Sequence, residues 1–183
     1  MAVAALHAGE VETASRAIEA RRIYERPSMQ PHESAAIVRG LMRVGQVEKG
    51  WEVLNDELRL PMQGLSLKEE ANQEVLKQRA HTLASIASRH FYEGEPYLAA
   101  KAISELGALG SVISESPIKS ADLNMPWARL ITAATVCGDK LSKNEWDVKH
   151  LNGQLILSLD LAELVWDAMY QFPCPDDGEE CSL

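Results

Sequence analysis

Three glycines, Gly9, Gly45 and Gly94, occupy the same place in a recurring apolar pattern. In each copy a large apolar residue lies three positions before the glycine, a small residue five positions after it, and two apolar residues eight and nine positions after it. This spacing predicts a corner between two helices, because glycine tolerates the left-handed conformation that ends a helix. The pattern residues are Leu6, Ala14, Ala17 and Ile18, then Met42, Gly50, Val53 and Leu54, then Phe91, Ala99, Ala102 and Ile103.

The distances between these corners predict a helical repeat. A period of about 36 residues separates Gly9 from Gly45, which suits a two-helix solenoid unit. The longer interval to Gly94 predicts about 13 extra residues in the first helix of the third pair. Gly50 falls inside a predicted helix, where it costs ~1 kcal/mol relative to alanine. We therefore expect the partner helix to approach closely at Gly50.

The stretch at residues 32–57 carries the pattern most completely, and it resembles a pentatricopeptide repeat. The matching positions are Ile37, Val38, Gly40, Leu41, Gly45, Val47, Glu48, Gly50, Glu52 and Val53. The first copy matches from Leu6 onward, and the third copy matches weakly around Gly94. Tetratricopeptide repeats have the same two-helix architecture. The resemblance implies an α-solenoid of antiparallel helix pairs, whose first helices line a concave surface, in a plastid or mitochondrial protein.

The whole chain is predicted to be all-α, with about seven helices in a single helical-repeat domain over residues 1–172. Residues 107–124 contain glycines, serines and a proline, so we expect an irregular connection there. The last residues, 173–183, are acidic and poor in apolar side chains, which predicts a flexible, disordered tail.

Charge and hydropathy limit the classes of partner. The 183 residues carry a net charge of −9, whereas nucleic-acid-binding domains usually present a net basic face. The overall charge therefore argues against a general RNA binder and leaves room for a local basic stripe. No run of 18 apolar residues occurs, so no membrane-spanning segment is predicted.

Five arginines are the candidate partner- or RNA-binding residues. Arg16, Arg21 and Arg22 cluster on a predicted helix over residues 10–26, where glutamates are interleaved. This pattern favours a solvated helix face, with a contact to a phosphate or an acidic partner as the alternative. Arg39 and Arg43 form an i, i+4 pair in the central unit. The resemblance implies that both line the concave surface.

The resemblance also implies a polar residue near the start of the first helix, which reads an RNA base in pentatricopeptide proteins. The matching position here is Ala35, whose side chain forms no hydrogen bond. This departure weakens any prediction of sequence-specific RNA recognition.

The sequence motifs predict no catalytic residue, no cofactor and no metal site. Cys137, Cys174 and Cys181 form no CxxC pair, which leaves a tail disulfide between the last two as an alternative. His81 and His90 are too far apart in sequence to share a metal as an i, i+4 pair does. No phosphate-binding glycine loop, zinc-protease motif or nucleophile elbow is present.

These observations favour a non-enzymatic helical-repeat scaffold that binds other protein subunits in a larger complex. The alternative is an organellar RNA-binding pentatricopeptide protein, for which the central unit with Arg39 and Arg43 is the argument. An enzyme with an unrecognised site is a third hypothesis. Retention of a protein complex after nuclease treatment separates the first hypothesis from the second.

Overall fold

The computed structural model describes residues 1–23, 30–59, 67–142 and 158–173. That part of the chain forms nine α-helices and no strand, which confirms the predicted all-α class. The predicted count of about seven was too low, because two of the helices are only six and four residues long. In chain order the helices are α1 (Ala2–His7), α2 (Val11–Ile23), α3 (Pro31–Arg43), α4 (Val47–Glu57), α5 (Glu70–Glu93), α6 (Pro96–Ser114), α7 (Ser120–Leu123), α8 (Trp127–Ser142) and α9 (Ser158–Tyr170).

The chain divides into two compact units, Met1–Thr82 and Leu83–Leu183, and the boundary falls inside α5. In unit 1, α1 packs against α2 and α3, and α3 packs against α4. In unit 2, α9 packs against both α6 and α8. The single domain over residues 1–172 stays a prediction. The predicted tail lies outside the described residues from position 174 onward.

The three glycine corners share one backbone geometry. Gly9, Gly45 and Gly94 have φ values of 79°, 78° and 79°. After each glycine, the next amide donates to the carbonyl oxygen five residues earlier, at 2.8, 2.9 and 2.8 Å. This hydrogen bond and a left-handed glycine define the Schellman ending of a helix. The predicted left-handed corners are therefore confirmed at all three positions.

The repeated apolar positions form much of the core of each unit. Leu6, Met42 and Phe91, three residues before the glycines, are at most 3% exposed. At Gly50, an added Cβ atom would lie 2.8 Å from the Met42 Cε atom. The expected close approach of the partner helix at Gly50 is therefore confirmed, since any larger side chain would collide with α3.

The predicted irregular connection over residues 107–124 is wrong for most of its length. Helix α6 continues to Ser114 and α7 occupies part of the remainder. Gly107 and Gly110 lie inside α6, where they face α9. A Cβ atom added at Gly110 would lie 2.6 Å from the Phe172 Cδ2 atom. Gly110 allows this close contact, whereas Gly107 has room for a methyl group, and the sequence pattern alone does not distinguish a packing glycine from a loop.

Membrane insertion was also assessed on the described part of the chain. None of the helices described there combines enough length with enough apolar character to cross a bilayer.

Candidate functional site

An open pocket of about 290 Å³ lies in unit 1, and we call it the unit 1 groove. Helices α2 and α4 supply most of its walls, and α3 contributes one residue at its base. The lining residues are Ser15, Arg16, Ile18, Glu19, Leu41, Lys49, Glu52 and Val53.

The floor of the unit 1 groove is apolar. Ile18, Leu41 and Val53 are 8%, 0% and 4% exposed. Ile18 and Val53 are members of the recurring pattern, nine and eight residues after their glycines, so the same spacing that builds the core also builds this floor. An apolar side chain of a ligand can be buried here, at a gain of roughly 25 cal/mol per Å² of apolar surface removed from water.

The rim of the unit 1 groove carries both signs of charge. Arg16 and Lys49 are basic, and Glu19 and Glu52 are acidic. The Lys49 ammonium donates a hydrogen bond to the Ser15 hydroxyl at 3.1 Å, which links α4 to α2. Among the described lining residues the two cations and two anions balance, and together they do not create the positive potential that a phosphate backbone requires.

Arg16 is the predicted site residue that lines the unit 1 groove. Its guanidinium lies 3.9 Å from the Glu12 carboxylate, and both side chains are largely exposed. Exposed ion pairs of this kind contribute little to stability, so Arg16 can reorient towards a ligand at small cost. Arg21 and Arg22 belong to the last turn of α2, but their side chains lie outside the described residues.

Arg39 and Arg43 lie on α3 and do not line the unit 1 groove. The Arg43 guanidinium donates to the carbonyl oxygen of Leu6 at 3.3 Å, near the end of α1, where unpaired carbonyls need donors. Arg39 is exposed, and desolvation by neighbouring atoms lowers the pKa of its guanidinium. Within the described residues Arg39 forms no hydrogen bond, so its charge remains available to a partner.

Ala35, which only the resemblance to a pentatricopeptide repeat matches with a base-reading position, is completely buried. A buried methyl group on α3 cannot contact a nucleotide. The location of this residue is a further argument against base-specific recognition by the central unit.

A buried arginine that was not predicted as a site residue binds the end of α4 in unit 1. Arg79 on α5 is 6% exposed. Its guanidinium donates to the carbonyl oxygens of Leu54 and Leu58 at 3.0 and 2.9 Å, and to the Asn55 side-chain oxygen at 3.0 Å. Arg79 therefore caps the end of α4. Its one signal in the sequence is a charge within an otherwise apolar helical stripe.

A second cluster of polar side chains surrounds the third corner. His90, Glu93 and Glu95 bring one imidazole nitrogen and two carboxylate oxygens within 4.8 Å of one another. This cluster was not predicted, because His90 was considered only together with His81. The sequence does contain a pattern that indicates it: Glu93 and Glu95 follow His90 by three and five residues and lie on either side of Gly94.

The one cysteine among the described residues is a poor nucleophile. Cys137 is buried, and burial raises the pKa of its thiol to about 11. A thiol with so high a pKa is almost wholly protonated at neutral pH, and the thiolate is the reactive form. Cys174 and Cys181, and with them the alternative of a tail disulfide, lie outside the described residues.

The chain was compared with known proteins in three ways. No family model matches it, and neither a curated protein nor a solved structure matches it.

Proposed function

We propose that the protein is a non-enzymatic helical-repeat scaffold that holds a segment of a protein partner in the unit 1 groove. It would serve as a structural or assembly subunit of a larger complex. The observation that carries this proposal is the combination of a buried apolar floor with a rim of mixed charge. Protein interfaces have this anatomy, with a desolvated apolar centre inside a polar rim.

The solenoid arrangement is part of the same proposal. Three corners with the same glycine φ and the same hydrogen bond support a chain built from repeated antiparallel helix pairs. Pentatricopeptide and tetratricopeptide proteins, which the sequence resembles, are solenoids of such pairs. A location in a plastid or mitochondrion follows from that resemblance and stays a prediction.

A protein segment suits the unit 1 groove better than RNA does. Among the described lining residues the two basic side chains are balanced by two acidic ones, and none carries an aromatic ring for stacking on a base. The alternative, an RNA-binding pentatricopeptide protein, is favoured by Arg39, which is exposed and forms no hydrogen bond within the described residues. We keep it as the second candidate.

Site-specific photo-crosslinking tests the proposal. A benzophenone amino acid is placed at Glu19, on the groove rim, and in a matched variant at Glu48, an exposed position of α4 outside the groove. Irradiation in cells of the source organism, followed by affinity purification with and without nuclease, identifies the adducts. We expect one protein to crosslink from Glu19 and not from Glu48, independently of nuclease.

Two outcomes would contradict the scaffold proposal. The first is an equal set of adducts from both positions, which would mean that the groove has no selective occupant. The second is enrichment of one RNA whose binding falls steeply with salt and is lost in Arg39→Glu/Arg43→Glu. That result would establish the RNA-binding alternative.

A further inference from the structure

The third corner carries side chains that the other two corners lack. Four residues before the glycine, the first two corners have Ala5 and Leu41, whereas the third has His90. All three side chains are buried, and His90 is 1% exposed. The corner can therefore be built with an apolar residue at this position, and the corner geometry does not explain the imidazole.

The imidazole of His90 points towards two carboxylates. Its Nδ1 atom lies 2.7 Å from the Glu95 Oε2 atom and 3.8 Å from the Glu93 Oε2 atom. A first-row divalent ion bonds imidazole nitrogen and carboxylate oxygen at about 2.0–2.2 Å, which separates adjacent ligand atoms by roughly 3 Å. The two distances from Nδ1 lie on either side of that separation, and all three ligand atoms lie within 4.8 Å of one another, so the atoms are close enough for side-chain shifts alone to bring them onto one ion.

The two carboxylates are held in place by their surroundings. The Arg89 guanidinium binds the other oxygen of Glu93, Oε1, and so leaves Oε2 directed at His90. Glu95 is the N-cap residue of α6, yet its side chain makes no capping hydrogen bond. Its carboxylate instead contacts His90. Oriented ligands of this kind are typical of metal sites, where outer partners fix the ligating groups.

We propose that His90, Glu93 and Glu95 form a binding site for a divalent first-row transition metal such as Zn²⁺. Imidazole favours transition metals over Mg²⁺ and Ca²⁺, which prefer all-oxygen sites. Binding of the ion replaces the contact between Nδ1 and Glu95, because a metal ligand carries no hydrogen at the ligating atom. Three protein ligands leave a coordination position for water.

The imidazole also limits the affinity of the site. A ring ligated through Nδ1 carries its hydrogen on Nε2, and that buried atom has no hydrogen-bond partner within the described residues. A buried donor without a partner opposes binding. We therefore expect weaker binding than in a four-ligand structural zinc site.

Calorimetric titration of the full chain tests the proposal, with ZnCl₂ as the probe after treatment with a chelator. Cys174→Ser/Cys181→Ser is the background, so that tail thiols cannot take the ion. We expect one Zn²⁺ per chain and no comparable uptake of Mg²⁺. Glu93→Gln/Glu95→Gln is expected to weaken Zn²⁺ binding at least about tenfold, the lower limit for loss of an outer partner of a ligand. Glu115→Gln, an exposed glutamate at the end of α6, is the control and should bind as the background does.

Nuclear magnetic resonance of the His90 ring supplies a readout at the ligating atom. At a Zn²⁺ concentration near the dissociation constant of the background chain, the Nδ1 resonance of His90 should shift in that chain and shift much less in Glu93→Gln/Glu95→Gln. Equal Zn²⁺ affinity in that double variant and the background would overturn the proposal, as would equal affinity for Mg²⁺ or the absence of Zn²⁺ binding. In those cases the contacts of His90 with the two glutamates are contacts within the protein and not a metal site.

Discussion

The corners at Gly45 and Gly94 have the same backbone geometry but differ in the side chains beside the glycine. Both glycines are left-handed, and both are followed by an amide that closes the turn onto a carbonyl five residues earlier. At Gly45 that carbonyl belongs to Leu41, which is wholly buried, and the closing residue is Gln46. At Gly94 the two positions are His90 and Glu95. The backbone requires a glycine and leaves the side chains beside it free to carry a pair of titratable groups.

The comparison separates what a corner needs from what it allows. The hydrogen bonds of the turn use main-chain atoms alone, so they constrain neither the residue four before the glycine nor the residue after it. Burial does constrain the first of these positions, because a polar group there needs a partner. His90 satisfies that condition through Glu95 at 2.7 Å, and Leu41 needs no partner.

The largest effect should come from making the Gly45 corner resemble the Gly94 corner in one position only. Leu41→His buries an imidazole beside Gln46 and removes apolar volume from the core. We expect unit 1 to lose about 3 kcal/mol of stability, in the range of large core substitutions. Hydrogen exchange of the α3 and α4 amides measures this as a lower free energy of opening.

The matched partner residue should restore part of that loss. Gln46→Glu added to Leu41→His recreates the pair found at the third corner, and we expect it to recover roughly 1 kcal/mol as a charge-assisted hydrogen bond. Gln46→Glu alone should change little, because Leu41 offers it no donor. If the double variant were no more stable than Leu41→His, the two corners would not be interchangeable.

A smaller effect should be common to all corners. Alanine in place of Gly9, Gly45 or Gly94 must adopt the left-handed conformation, which costs about 1–2 kcal/mol for a residue with a Cβ atom. Among the described residues, no atom beyond the two chain neighbours lies within 4 Å of a Cβ added at Gly9 or Gly45, so the cost there is conformational and not steric. Thermal or denaturant unfolding measures the loss of stability in each variant. Amide exchange shows whether the loss is located in the helices beside the substituted corner.

Gly107→Ala is the control for the corner substitutions. Its φ lies outside the left-handed region, and an added Cβ would lie 3.5 Å from Ala168, an ordinary contact distance. Alanine there should be neutral or stabilise α6 by up to about 1 kcal/mol, the difference in helix propensity. If Gly107→Ala lowered the stability as much as Gly45→Ala, the substitutions would not be measuring the cost of the left-handed conformation.

The corners could be predicted from the sequence because their causes are local. A left-handed residue after an apolar helical stripe is specified within about ten residues, and glycine is the residue that tolerates it. The groove floor was implicit in the same pattern, since Ile18 and Val53 are pattern residues. The groove itself could not be predicted, because it depends on how α2 and α4 approach each other.

The features that the sequence did not predict depend mostly on contacts between residues far apart in the chain. Gly107 and Gly110 have the composition of a loop, yet both lie inside α6, and the close contact at Gly110 is with Phe172, two residues beyond the end of α9. Arg79 caps carbonyls of α4 that are more than 20 residues away. The His90 cluster is local, yet Glu95 reaches the ring only because the Gly94 corner turns the chain back on itself.

The smallest expected effect concerns the His90–Glu95 pair in the absence of metal. Glu95 is about half exposed, so solvent screens the charge, and Glu95→Gln should lower the stability of unit 2 by no more than about 1 kcal/mol. Salt weakens contacts between charges, so its effect on this loss distinguishes an ion pair from a neutral hydrogen bond. Amide exchange at α6 in low and high salt measures the loss under both conditions. A loss larger than that expected for a half-exposed contact would show that the amide of the variant disturbs the start of α6, and the Gly94 corner would then differ from the Gly45 corner in shape as well as in side-chain chemistry.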